Sequence, residues 1–141
     1  MSKPRILIAG GGIGGIVAAL ALLERGFHVA LYEQAAALRE LGAGVQISPN
    51  GSRVLRALGL LPAMAAIASV PTTKEMRLFN TGQAWLVQDL GASAVVRLGS
   101  PYWLVHRGDF HAVLVQALGT ERLAQCILAR GASASSRMRT A

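Results

Sequence analysis

The sequence holds a single cysteine, Cys126, among 141 residues, and only three histidines. A lone thiol excludes an internal disulfide. With no second ligand spaced around it, it also argues against a zinc site, and such sparing use fits a reducing compartment. Cys126 reads as an inert small hydrophobe. Acids are scarce as well: seven Asp and Glu stand against 14 Lys and Arg, for a formal charge of +7. That balance invites a nucleic-acid reading, yet the chain lacks a basic run and lacks aromatics interleaved with its cations. From Thr120 onward Arg122, Arg130, Arg137 and Arg139 face Glu121 alone, so this end carries +3 of the +7. The other arginines are scattered. A moderately basic body suits a small anionic ligand, and no nucleic-acid partner is expected. Internal repeats are absent, and no residue presents itself as an acid–base catalyst or metal ligand.

Charge is also missing between Ile6 and Leu23, directly after Lys3 and Arg5, which superficially resembles a leader or a membrane span. Gly10, Gly11, Gly12, Gly14 and Gly15 interrupt that stretch where one helix would need continuity. Each costs about 1 kcal/mol relative to alanine inside a helix. A soluble, cytoplasmic protein without a membrane partner is therefore expected. The composition, 52% hydrophobic with mean hydropathy +0.44, suits a packed α/β core rather than disorder.

The same stretch carries the most specific pattern in the chain. Arg5-Ile-Leu-Ile-Ala9 is a short apolar segment leading into Gly10-Gly-Gly12-Ile-Gly-Gly15, and a helical pattern from Ile16 to Arg25 follows. Strand, Gly-x-Gly-x-x-Gly turn and helix, in that order, form the dinucleotide-binding fingerprint. Gly10 permits the tight turn, Gly12 a close approach of backbone to pyrophosphate, and Gly15 close packing of helix on sheet. The first amides of the helix then face the phosphate charge. Gly26 stops the helix, and Phe27-His-Val-Ala-Leu-Tyr-Glu33 runs apolar like a buried parallel strand. Its terminal acid, Glu33, can accept both ribose hydroxyls of an adenosine and would repel a 2′-phosphate, which disfavours NADP here.

Further along, Val45-Gln46-Ile47 reads as a short extended segment. Ser48 and Pro49 read as the start of a helix carrying Val54, Leu55, Leu58 and Leu61, and a second helical piece runs from Pro62 to Ile67. From Thr72 the character changes. Met76, Leu78, Ala84, Leu86, Val95 and Leu98 sit in short alternating stretches that predict two to four antiparallel strands. Tyr102–Arg107 predicts another strand. Asp109 then reads as the cap of a helix presenting Phe110, Val113, Leu114, Ala117 and Leu118 on one face and ending at Gly119.

Taken together, Gly10–Gly15, Glu33, Leu38–Asn50, Val54–Gly59 and the run His106-Arg107-Gly108-Asp109-Phe110-His111 resemble the FAD-dependent aromatic hydroxylases. These are the single-component flavoprotein monooxygenases typified by salicylate and para-hydroxybenzoate hydroxylase. The resemblance covers about residues 3–119. It implies an α/β fold: a Rossmann-like FAD/NAD(P)-binding βαβ unit with a partial antiparallel β segment, together an incomplete domain. On this reading residues 1–119 are the N-terminal part of an FAD-binding domain, and residues 72–105 begin the substrate-side β segment. Residues 120–141 form an unrelated, disordered tail.

The resemblance also implies cofactor contacts. Gly10, Gly12, Ile13, Gly14 and Gly15 would hold the pyrophosphate, and Glu33 with its neighbour Gln34 the adenosine ribose. Val45 and Gln46 would run beside the flavin, and Arg107 would reach the phosphate–ribose region, where a guanidinium offers a forked, permanently charged donor. Arg39 is a second candidate for that service, with a solvated surface charge beside Glu40 as its alternative. His106 reads as structural, His111 as lying on the exposed helix face, and His28 as a strand end. Trp85, Tyr102 and Trp103 read as core or sheet-face residues. The family's later Gly-Asp and Asp-Gly motifs have no counterpart, and pattern is lost near Thr120, so a truncated or frameshifted product is expected. FAD is the implied cofactor, with NAD(P)H as co-substrate and a small aromatic substrate in the full-length family. The isolated chain is expected to be inactive. The alternatives are a non-catalytic remnant or an NAD-binding Rossmann module, which Glu33 would serve equally well.

Overall fold

The computed structural model describes residues 3–35, 43–123 and 126–128. In chain order the elements are β1 (Arg5–Ala9), α1 (Ile13–Glu24), β2 (His28–Glu33), β3 (Gly44–Ile47), α2 (Pro49–Ala57) and α3 (Leu61–Ile67). There follow β4 (Thr73–Arg77), β5 (Ala84–Asp89), α4 (Ala92–Leu98), β6 (Trp103–His106), α5 (Arg107–Leu123) and β7 (Cys126–Leu128). They divide into two compact units. One takes the described residues up to 35 and those from Phe110 onward; the other takes 43 to Asp109. The α/β class with an added antiparallel segment is the one expected.

The first unit is built on a parallel sheet of order β1-β2-β7. β1 and β2 run in register from Arg5 opposite His28 to Ala9 opposite Tyr32. β2 is the middle strand, and Val29, Ala30 and Leu31 are buried in succession. A strand covered on both faces needs such an unbroken apolar run, which is why this segment does not alternate. α1 buries Ile16, Ala19 and Leu20, one stripe at helical spacing. The uncharged stretch from Ile6 to Leu23 is thus strand, turn and helix. Among the described residues no helix is long and apolar enough to cross a membrane. α5 buries Phe110, His111, Leu114 and Leu118.

Two expectations about this region are corrected. Asp109 does not cap α5, which already begins at Arg107; it lies in the first turn, where its charge still favours the helix dipole. Cys126–Leu128 forms a strand parallel to β2, with Leu31 opposite Cys126, where an unstructured tail from Thr120 was expected. A run as short as Cys-Ile-Leu gains its strand by joining an edge already laid down. Gly119 does interrupt the helix, with φ +70° and ψ 161°.

In the second unit β3 pairs antiparallel with β6, Val45 opposite Val105 and Ile47 opposite Trp103. Ile47, Val105 and Trp103 are buried there with Leu55 and Met64. Ser48 precedes α2, but its hydroxyl donates to Asn50 Oδ1 at 2.5 Å instead of capping a backbone amide. Ser52, fully buried, donates to the Pro101 carbonyl at 2.7 Å and ties α2 to the chain before β6. β4 and β5 form a separate antiparallel hairpin. The strands expected to include Val95 and Leu98 end there, because residues 92–98 are helical. Asp89 turns the chain into α4 by accepting the Gly91 amide at 2.9 Å and the Ser93 hydroxyl. Those two bonds, the hydroxyl first, hold its carboxyl below the usual range. Gly99, at φ +70°, closes the helix with its amide on the Val95 carbonyl.

Candidate functional site

The first unit builds a glycine turn between β1 and α1. Gly10 turns the chain at φ +105°, a region closed to most L side chains, and its amide donates to the Tyr32 carbonyl at 2.7 Å. This bond fixes the turn to the end of β2. A side chain at Gly15 would place its Cβ 1.9 Å from the Gly10 carbonyl oxygen, so only glycine lets α1 approach the turn. Gly12 is the N-cap, with extended backbone and no side-chain cap, and the first turn of α1 carries no acid. The amides that every helix start leaves without intrahelical partners are thus not covered by a side-chain cap of their own. Beyond Gly14 no atom lies within 4 Å of where a side chain would project. An uncapped helix start fits a phosphate group.

Glu33 closes the other side. Its Oε2 accepts the Gly11 amide at 2.6 Å and its Oε1 the Ala35 amide at 2.9 Å. The bonds from Ala35 and Gly11, in that order, hold the carboxyl below its ordinary range. The group is therefore ionised at neutral pH and can only accept. Each oxygen keeps a further lone pair, and the side chain is half-buried, so hydroxyl donors can still reach it. This is the donor–acceptor match a ribose requires.

The remaining expected residues fall as follows. Ile13 is half-buried at the start of α1, and Gln34 is exposed just after β2. Arg39 lies outside the described residues. Val45, Gln46 and Arg107 belong to the second unit. Val45 is half-buried, and Gln46 is exposed with its Oε1 accepting the Tyr102 hydroxyl at 2.6 Å. Arg107 is exposed, with its amide on the Ala43 carbonyl at 3.3 Å. His106 is exposed and 3.9 Å from Asp109, and His28 begins β2 at the surface. Trp103 is in the core, whereas Trp85 is largely exposed on β5.

His111 overturns its expectation. It is 3% exposed, and its Nε2 lies 2.8 Å from the Gly11 carbonyl oxygen. A carbonyl can only accept, so Nε2 carries the proton. The signal was available: residues 111, 114 and 118 share one helix face, and Leu114 and Leu118 are buried. The apolar count alone hid it. Among the described residues no cluster of His, Cys, Asp and Glu could hold a metal ion.

A parallel βαβ unit with this turn and an ionised acid at the second strand's tip defines a dinucleotide-binding domain of the Rossmann class. More narrowly, the chain belongs to the FAD binding domain family, whose profile matches residues 3–130. It is 44% identical over 116 residues to a 6-hydroxynicotinate 3-monooxygenase of Pseudomonas fluorescens, covering 82% of this chain and 30% of that protein. It is 40% identical over 116 residues to a 3-amino-4-hydroxybenzoate 2-monooxygenase of Streptomyces platensis, covering 82% and 29%. A crystal structure of 2-methyl-3-hydroxypyridine-5-carboxylic acid oxygenase superposes with TM-score 0.68 at 31% identity, over 90% of this chain and 31% of that one. The chain thus spans about 30% of the length of the relatives it matches. The resemblance to flavin-dependent aromatic hydroxylases holds.

Proposed function

We propose that the chain holds the adenosine diphosphate half of FAD, as the N-terminal part of an NAD(P)H-consuming monooxygenase that hydroxylates a small aromatic compound. The observation carrying this is the pairing of an uncapped helix start at Gly12–Gly15 with an ionised, accessible Glu33. The turn's amides bind the pyrophosphate oxygens, with Gly10, Ile13 and Gly14 shaping the approach. Glu33 accepts the ribose hydroxyls, with Gln34 at the rim. Arg107 supplies cation to the phosphate–ribose region, and Arg39 is a second candidate. Val45 and Gln46 run beside the flavin. FAD, when bound, supplies the redox chemistry, taking hydride and activating dioxygen. The protein's own residues bind, orient and exclude water.

The aromatic substrate class rests on the names of the relatives, which act on hydroxylated pyridine and benzoate rings. The β4–β5 hairpin is assigned to the substrate-side sheet; its exposed Met76, Trp85 and Leu86 support a face made to be covered. A cytoplasmic setting is supported by the single cysteine. The isolated chain holds the cofactor but does not turn over. Purification tests this: a protein with flavin absorbance, or one that quenches added FAD fluorescence, supports the reading. A colourless chain unresponsive to FAD contradicts it, and aromatic-dependent NADH consumption contradicts its inactivity.

A further inference from the structure

Gly11 sits between two side chains from distant parts of the sequence. Its N–H donates to Glu33 and its carbonyl accepts from His111, at 2.6 Å and 2.8 Å. Gly11 is itself buried, as is His111. These groups belong to the two peptide units on either side of the Gly11 Cα, so neither unit can rotate about its bond to that Cα without breaking one of the two contacts. Glycine has the greatest freedom to make that rotation, so the clamp acts where the loop would otherwise be least defined.

We propose that His111 is a positioning residue for the cofactor's adenosine diphosphate half, holding the Gly11–Gly12 peptide so that the Gly11 backbone keeps its own amide on the Glu33 carboxylate. This rests on the FAD reading above. His111 touches no ligand in the proposal. With one lone pair of Glu33 Oε2 occupied by Gly11, the carboxylate is held at one angle, and its remaining lone pairs face the ribose hydroxyls. Without His111 the Gly11–Gly12 peptide turns about the Gly11 Cα, the neighbouring Gly11 amide no longer holds one position against Glu33, and the ligand must order both on arrival. Ordering on arrival lowers affinity without removing any contact to the ligand.

The test compares His111→Leu, which keeps the buried bulk, with His111→Gln, whose side-chain amide can still donate to Gly11. FAD and ADP are titrated into the full chain by calorimetry, and Gly11 amide exchange is followed by NMR without ligand. The expected result is about tenfold weaker binding of both ligands by His111→Leu, as loss of one buried hydrogen bond gives. His111→Gln should bind within about threefold of the unaltered chain, the gap a retained but imperfect hydrogen bond leaves. The Gly11 amide should exchange faster in His111→Leu while the amides of β2 keep their protection. Equal binding by His111→Leu, or a His111→Gln variant as weak as His111→Leu, overturns the proposal. So does a Gly11 amide unmoved in His111→Leu, or one that speeds up only together with β2. Failure of the unaltered chain to bind FAD or ADP overturns the FAD reading instead, and the Gly11 exchange then judges the clamp by itself.

Discussion

β2 and the β4–β5 hairpin contain similar apolar residues with opposite fates. In β2, Leu31 is 2% exposed, and its neighbours Val29 and Ala30 are buried with it. In and beside the hairpin, Phe79 is fully exposed at 100%, and Met76, Leu86 and Val87 are each more than half exposed. The difference is in what lies on either side. β2 has a strand on each edge, β1 and β7, and α1 packed close by. The hairpin has one partner strand and nothing among the described residues over its face. An apolar side chain stabilises only when something covers it, at about 25 cal/mol per Å² removed from water. The first unit is thus held by its own packing, whereas the hairpin is held by its ladder and turn.

Substitutions can break or sharpen this contrast. The largest effect is expected from Leu31→Ala, which opens a cavity in the middle of the sheet and should cost about 2–5 kcal/mol in urea unfolding. Gly15→Ala comes next: its methyl meets the Gly10 carbonyl, and the overpacking should cost about 1–3 kcal/mol and weaken ADP binding. A Gly15→Ala chain of unchanged stability would mean the turn does not pack as described. The smallest change is expected from Phe79→Ser, within about 0.5 kcal/mol, with greater solubility as the gain. A large loss there would show the hairpin to be covered after all.

A pH series gives a further, smaller separation. Glu33 is held below its ordinary value of 4.5 by the Ala35 and Gly11 amides. A carboxyl with a depressed folded pKa stabilises above its unfolded pKa and loses that contribution as pH falls through the folded one. The urea midpoint of the unaltered chain should therefore fall more steeply below pH 4.5 than that of Glu33→Gln. Parallel curves would mean the amides do not hold the carboxylate. Phe79→Ser should leave the slope untouched, since nothing titrates with it.

The first unit was the more legible in sequence, for a physical reason. Gly10 is demanded by its backbone angle and Gly15 by the carbonyl a side chain would meet, so their spacing reports structure directly. α4 was misread because Val95 and Val96 favour strands, while the deciding contacts come from Asp89 outside the helix. β7 was hidden because three apolar residues among arginines carry no pattern until an edge strand receives them. His111 escaped because only the apolar residues of its helix were counted, although it shares a face with the buried Leu114 and Leu118. Its role follows only from the Gly11 carbonyl, 100 residues away in sequence.

The central claim is that Glu33 and the glycine turn together grip an adenosine diphosphate. Calorimetric titration of ADP into the full chain and into Glu33→Ala tests it most directly. Binding by the unaltered chain with at least about tenfold weakening in the variant, the loss expected for charge-assisted hydrogen bonds to a ribose, is the predicted result. Equal affinity in the two proteins would contradict it.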